Sequence, residues 1–452
     1  MLAGEACQVR TELGREAELG REIATLAHVT DAHVLDASSP ARVGFLARFG
    51  QPFESAFRPQ EALTAQVLAG ALRAVRALRP DCVIEGGDLI DNAQENELGA
   101  ALALFGGGSV APGSGTAGYF GVQSPVNDDD WYYRPDRDDP QHPGLLDEAT
   151  RPFRSAGIGA PWLPVLGDHD VLVAGELVPN DLTRALAIGE RALWTPPAGF
   201  SIPAEVVAGA SAGADSVPLS VLAGLVGELM AGPTVEVPAD PARRELEVGE
   251  VVERLRVASG AAALPAGSRL DYVHDVGRRL RVIVLDLASR SGGSGGVVLP
   301  EQVAFVEDAL AGAGDRWVVF VCHQTLRQSA GGDELQALLD ASPRVALFLN
   351  GHTHHNRIRP RDTAAGGHWE IETSSLIDWP QQCRALRLFE TDDGGLAIQT
   401  WMLDHVTPAG RLGLVSRELA WMDETGGRPG RFAGGPGDRN ALLHLRARRR
   451  SS

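Results

Sequence analysis

An α/β fold is predicted from three observations: short apolar runs rich in Val, Ile and Leu that each end in a Gly, Asp, His or Asn cluster, helical periodicities between those runs, and a closing stretch of consecutive strands. Residues 23–29 form the first run. A helical pattern over 60–78 follows, in which Leu63, Val67, Leu68, Leu72, Val75 and Leu78 keep to one face. Runs at 82–84, 162–166 and 280–287 read as further buried strands. After Pro300 comes a helix over 302–310, then runs at 317–322 and 345–349. The last strands, 368–372, 384–389 and 396–402, succeed one another directly, and Asp392-Asp393-Gly394-Gly395 between two of them is a hairpin signal. A sheet finished by antiparallel strands is expected.

Two segments interrupt the rhythm. Residues 105–161 carry a Gly/Ser/Pro tract and then Asn127-Asp128-Asp129-Asp130-Trp131-Tyr132-Tyr133, too long for an ordinary connection, so a lid or a disordered insertion is expected. Residues 172–269 are Ala/Val/Pro-rich with weak helix signals and read as a second insertion. The resulting division is an extension over 1–20, one domain over 21–410 with these two insertions, and a Gly/Arg-rich tail over 411–452. That tail is expected to fray, down to its final Arg448-Arg449-Arg450.

Composition narrows the function. With 452 residues, 44% of them apolar, the chain can bury a sizeable core. Its 41 basic residues, all arginine, stand against 59 acidic ones, and the net charge of −18 argues against nucleic acid or an anionic membrane as partner. An anionic substrate would need a local source of positive charge. Cys7, Cys82, Cys322 and Cys383 lie far apart with no CxxC pair, so neither a disulfide framework nor a thiolate zinc site is indicated. The start of the chain lacks a signal-like apolar run, and the most apolar window, 219–230, contains Glu228 and is short of a bilayer span. A soluble, cytoplasmic protein is expected.

The chemistry sits where strands end. Asp31 and His33 follow the first strand. Gly86-Gly87-Asp88-Leu89-Ile90-Asp91-Asn92 follows the second, and Gly167-Asp168-His169-Asp170 the third. His323 closes the strand at 317–322, and Gly351-His352-Thr353-His354 closes 345–349. Ligand sites of open α/β sheets lie outside the carboxyl ends of strands, so five clusters can meet in one place. Singly, a histidine at a strand end is ordinarily a hydrogen-bonded core or surface residue and a Gly-Asp pair a turn. Five in this order have a joint explanation. Imidazole and carboxylate together suit Zn, Mn or Fe. Asp31, His33, Asp88, Asp168, His323, His352 and His354 are too many for one tetrahedral ion. They suit two ions about 3.5–4 Å apart that share a carboxylate, clamp a phosphate and supply a bound hydroxide.

This motif set resembles the calcineurin-like metallophosphoesterase superfamily, whose pattern is D-x-H, G-D, G-N-H-[DE], H, G-H-x-H; the resemblance covers residues 23–405. It implies a four-layer α/β/β/α sandwich and a binuclear centre of Mn, Fe or Zn. One ion would be held by Asp31, His33, Asp88 and His354, and the other by Asp88, Asp168, His323 and His352, with Asp88 bridging. His169 would contact the phosphate and help protonate the leaving alkoxide. Asp91 stands where purple acid phosphatases have tyrosine, and the arginine of the phosphoprotein phosphatase G-D-x-V-D-R-G motif is missing. The motif spread is more similar to class III cyclic nucleotide phosphodiesterases and related bacterial phosphoesterases, which implies a phosphate mono- or diester of a small molecule. A homologue that binds metal without turnover and a nuclease are the alternatives. Asp91 and Asn92 are read as helix-capping or ligand-orienting residues, with direct contact to substrate as the alternative, and His355 as a pocket or loop residue. Asp378 is read as part of a turn, and the Trp131–Tyr133 cluster as an anchor for its own loop.

One position departs from the pattern: Asp168 replaces the family asparagine. A carboxylate still ligates but donates no hydrogen bond when ionised. Three aspartates against two divalent ions leave one net positive charge where asparagine would leave two. Metal binding is expected to survive, with turnover reduced or shifted toward monoanionic diesters.

Overall fold

The computed structural model describes residues 5–50, 53–204, 206–208, 219–260, 269–405 and 409–447. Apolar, β-branched stretches supply the strands that build its two main sheets. In chain order these are β1 (Gln8–Leu13), β2 (Leu19–Val29), β3 (Cys82–Glu85), β4 (Trp162–Pro164), β5 (Tyr272–Val276), β6 (Leu280–Val284), β7 (Trp317–Val321), β8 (Val345–Asn350), β9 (Arg357–Arg361), β10 (His368–Glu372), β11 (Gln382–Thr391), β12 (Leu396–Asp404) and β13 (Ala441–Leu445). One sheet runs β1-β13-β12-β11-β2-β3-β4 and the other β9-β10-β8-β7-β6-β5. In the first, β2, β3 and β4 are parallel, while β11 returns antiparallel to both β2 and β12. In the second, β6, β7, β8 and β10 are parallel, and β5 and β9 close its edges antiparallel.

Alternation along the strands stacks the layers. Val319 and Val321 of β7, with Val282 and Val284 of β6 and Leu347 and Leu349 of β8, join the core that contains Leu26, Val83, Leu163 and Leu386 of the first sheet. Their neighbours Val318, Phe320, Ile283 and Phe348 turn the other way. They pack under Val306, Leu310, Leu335 and Leu339. The helices covering this face are Pro300–Ala311 and Gly332–Ala341. On the outside of the first sheet lie α1 (Thr64–Leu78) and α2 (Glu95–Gly106), with α1 touching β11 and β12. The order is α/β/β/α. The helix α1 starts four residues later than its periodicity predicts because Glu61–Leu63 winds as a tighter 3-10 turn.

The chain ends differ from the sequence expectation. β1 pairs parallel with β13, and β13 pairs antiparallel with β12, so the extension supplies the edge strand of the first sheet and the tail the strand next to it. A helix over Arg411–Met422 packs on α1. Alternating Leu443 and Leu445 bury where β13 meets the core, a signal too short to read beside the arginines around it. Arg448, Arg449 and Arg450 lie outside the described residues, as do 205, 209–218 and 261–268 of the second insertion.

Both insertions are anchored. Gly108–Val110 pairs antiparallel with Phe153–Ser155 at the neck of the first. Phe45, Phe57, Tyr132, Trp194 and Phe200 form a separate apolar cluster drawn from the loop after β2 and from both insertions. Tyr132 donates its hydroxyl to the Trp194 carbonyl at 2.8 Å, and the Arg48 guanidinium lies over the Trp131 and Tyr132 rings. No described helix is long and apolar enough to cross a membrane.

Candidate metal centre

Five strand ends deliver the seven predicted donors: β2 leads to Asp31 and His33, β3 to Asp88, β4 to Asp168, β7 to His323, and β8 to His352 and His354. The local backbone is unusual. Asp31, His33, Asp88, His352 and His354 all have left-handed φ, between 43° and 66°. For residues with a Cβ this conformation costs about 1–2 kcal/mol each, and such residues cluster where a surrounding structure holds them for a purpose. The turns are held by one another: Asp31 N–H donates to Gly87 O, His33 N–H to Asp88 O, and Gly351 N–H to His323 O, at 3.0–3.1 Å. Gly167 is needed for close approach, since a Cβ there would sit 2.2 Å from Asp88 Oδ1.

The donors fall into two sets. Asp88, Asp168, His323 and His352 bring one ligand atom each within 4.8 Å of one another, and Asp31, His33 and His354 do the same. Asp88 lies between the sets, its Oδ2 3.0 Å from His323 Nε2 and 3.8 Å from His33 Nε2. His354 Nε2 is 3.3 Å from both His33 Nε2 and Asp31 Oδ1, and His352 Nδ1 is 3.1 Å from Asp168 Oδ1.

The donor chemistry fits cations. His323 Nδ1 lies 2.8 Å from the Gly86 carbonyl and so carries the proton, which leaves Nε2 with a lone pair turned toward carboxylate oxygens. That fully buried Nε2 has no hydrogen-bond partner among the described residues. Buried acceptors facing one another at this distance call for a positive charge between them.

Second partners aim the other imidazoles. His33 Nδ1 lies 2.9 Å from Asp91 Oδ1, and Arg42 holds Asp91 Oδ2 at 2.5 Å. His354 Nδ1 lies 2.5 Å from Asp378 Oδ2, with Arg58 and Arg428 on the same carboxylate. Asp170 accepts backbone N–H groups from Asp88, Gly167 and Ile90, which ties the β3 and β4 loops together. Burial alone would depress the histidines. At His354 the Asp31 and Asp378 carboxylates outweigh it and push the pKa up to about 9. At His169, Asp88 and Asp91 do the same, to about 10. Burial also raises Asp170, to about 7, with the nearby Asp88 charge adding to it.

His169 sits beside the sets. Its Nδ1 is 3.0 Å from the Asp91 carbonyl and 3.2 Å from Asp91 Oδ1, its Nε2 is 4.0 Å from Asp168 Oδ2, and its side chain is 20% exposed. Asn92 is buried and donates to Asp91 Oδ2 and to Glu97. His355 turns away from the donors: its two ring nitrogens face the Thr353 and Gly430 carbonyls. Asp378, read from sequence as part of a turn, is buried against a predicted ligand. Arg42, Arg58 and Arg428 were not singled out at all. An Asp with Pro two residues later offers no local sign of a partner 24 residues away.

No protein-family model matches the chain, and no curated protein matches it. Solved structures do. A dimetal phosphatase from Danio rerio is 12% identical over 85% of this chain and 98% of its own, with a TM-score of 0.42. A purple acid phosphatase from yellow lupin is 13% identical over 86% of this chain and 54% of its own, with a TM-score of 0.34. A Thermus thermophilus sulfate thiohydrolase, SoxB, is 13% identical over 91% and 62%, with a TM-score of 0.33. At such identities and TM-scores, assignment of function stands on the site itself.

Proposed function

We propose that the chain is a metal-dependent phosphoric ester hydrolase acting on a phosphate mono- or diester of a small molecule. The observation that carries this reading is the meeting of seven donors from five strand ends in two sets, with Asp88 of one set 3.8 Å from His33 of the other. Asp31, His33, Asp88 and His354 would hold one ion, and Asp88, Asp168, His323 and His352 the other. When bound, two such ions supply Lewis acidity toward phosphate oxygens and a nucleophile at neutral pH. The chain's own groups do the rest. Asp91 holds the His169 Nδ1–H, and the Asp88 and Asp91 carboxylates keep the ring in its doubly protonated form, so that its Nε2–H can be handed to a departing alkoxide. Asp91 and Asp378 hold His33 and His354 with Nε2 forward. The net charge of −18 weighs against a polynucleotide substrate. Four free cysteines, three of them buried, fit a reducing cytoplasm.

The test is elemental analysis of the purified protein with turnover of p-nitrophenyl phosphate and bis-p-nitrophenyl phosphate. Two ions of Mn, Fe or Zn per chain are expected, with hydrolysis lost on chelation. The His169→Ala variant should keep its metal and lose at least about a hundredfold in turnover, the usual scale of a general acid. Fewer than two ions in a metal-replete preparation would sink the reading. Asp168 favours one second reading, a metal-binding protein without turnover; two bound ions with no hydrolysis of either ester would select it.

A further inference from the structure

The segment after the last helix wraps the loop that carries His352 and His354. Asn356 N–H donates to the Phe432 carbonyl at 2.8 Å, and the Phe432 ring lies 4.9 Å from the His355 ring and 6.2 Å from the His354 ring. The Gly430 carbonyl lies 2.8 Å from His355 Nε2. Asp438 accepts Ile358 N–H through its carboxylate, and its carbonyl takes an N–H of the buried Arg384. From this segment Arg428 reaches inward with 13% of its side chain exposed.

How the Asp378 oxygens are shared gives Arg428 its role. Oδ1 takes Arg58 Nε at 2.9 Å and Arg428 Nη2 at 2.5 Å, while Oδ2 faces His354 Nδ1 at 2.5 Å and has Arg58 Nη2 at 3.5 Å as a second, longer contact. Two guanidiniums on one oxygen fix the rotation of the carboxylate about its Cβ–Cγ bond, so that the other oxygen faces the imidazole. Asp423 in turn holds Arg428 through both Nε and Nη2, at 3.2 and 2.6 Å. The chain Asp423–Arg428–Asp378–His354 therefore runs from the C-terminal segment to one donor set and does not touch the other. Asp91 repeats the arrangement on the opposite side, with Arg42 on Oδ2 and His33 on Oδ1, but Arg42 follows directly on the first motif.

We propose that Arg428 is a positioning residue of the metal centre, by which residues 423–434 complete the Asp31, His33 and His354 half. The proposal rests on the reading of the site as a two-ion centre. Without Arg428, Asp378 keeps only Arg58, whose second contact, Nη2 to Oδ2, is 3.5 Å long, and the carboxylate aims His354 less firmly. The two binding steps should then separate, with the half built from Asp88, Asp168, His323 and His352 left as it was.

Titration of the metal-free full chain with Mn²⁺ by calorimetry reads both steps. In wild type, two ions per chain are expected; a single step or none would defeat the two-ion reading itself. With two steps present, Arg428→Ala is expected to weaken one at least tenfold and leave the other within twofold. Arg428→Lys keeps the charge without the fork and should recover most of that loss. Equal affinities in Arg428→Ala and wild type would overturn the proposal. So would parallel weakening of both steps with a collapsed thermal transition. If Arg428→Ala does not fold, Arg428→Met, which keeps the unbranched stem without charge or donors, decides in its place: a selective loss in one step supports the proposal, and unchanged affinities in both reject it.

Discussion

Asp168 is held in one rotation. Its Oδ1 accepts Gln324 Nε2 at 3.0 Å and faces His352 Nδ1, while Oδ2 lies on the side of His169. An asparagine there would keep its carbonyl oxygen toward Gln324 and turn its NH₂ to the His169 side, adding a donor and removing a negative charge. A unit charge about 4 Å away is worth roughly 1 kcal/mol in water and about 4 kcal/mol near a protein surface. Asp168→Asn is therefore expected to raise kcat/KM for the dianionic p-nitrophenyl phosphate at least about tenfold relative to the monoanionic bis-p-nitrophenyl phosphate. An unchanged ratio would mean that the charge at this position does not govern selection. His368 offers a test away from the centre. Burial lowers its pKa to about 4, with the Asp340 charge working against it and the Arg361 charge adding to it. The unfolded chain takes up a proton near pH 6.5 that the folded one refuses until about pH 4. Stability from this group is thus full above pH 6.5 and falls away as the pH drops toward 4, by about 1.4 kcal/mol per pH unit. Chemical unfolding of the His368→Gln variant between pH 4 and 7 should show a slope shallower than wild type by one proton.

Elements around the centre matter through how closely they approach it. The turn at Ala174 and Gly175 has left-handed φ at both residues, 51° and 73°. A Cβ on Gly175 would fall 2.5 Å from His169 Nε2 and 2.6 Å from Asp168 Oδ2, so glycine alone lets this turn roof the two side chains. Ser294, in the loop between β6 and β7, donates to Glu176 Oε1 at 2.9 Å and holds the turn down. Gly175→Ala should retain two ions by elemental analysis while kcat drops about tenfold or more; undiminished kcat would show that the roof does not bear on the reaction. The second insertion is tied in by Arg243, which is fully buried and reaches Asp36 Oδ2 at 3.1 Å and Ser114 Oγ at 2.8 Å. Asp36 lies just past the first motif and Ser114 in the first insertion, so one guanidinium joins three segments. Arg243→Ala leaves a buried carboxylate without its cation, a change on the order of 3 kcal/mol. Faster limited proteolysis between 172 and 269 than in wild type is the expected readout, and equal rates would count against this anchoring.

At the scale of the whole molecule, the two halves of the centre come from different sheets. Asp31, His33, Asp88 and Asp168 follow strands of the seven-stranded sheet, and His323, His352 and His354 follow strands of the six-stranded one. The packing of the sheets across a shared apolar core is thus what closes the site, and the loops only finish it. Asp-Ala-His and Gly-His-Thr-His were legible because both donors of each pair lie two residues apart on one turn. Strand positions were legible for the same local reason, since an apolar run ending in Gly or Asp needs no distant partner to be recognised. Arg58 and Asp378, by contrast, are 320 residues apart, and Arg428 is 50 further from Asp378. The edge pair β1 and β13 joins the two ends of the chain. The amino-acid order by itself determined which groups stand at the ends of strands, because strand and turn chemistry is written in neighbouring residues. Only the tertiary structure decided which buried arginines and carboxylates aim them, because a buried charge finds its partner through space, and nothing beside it in the chain records which one.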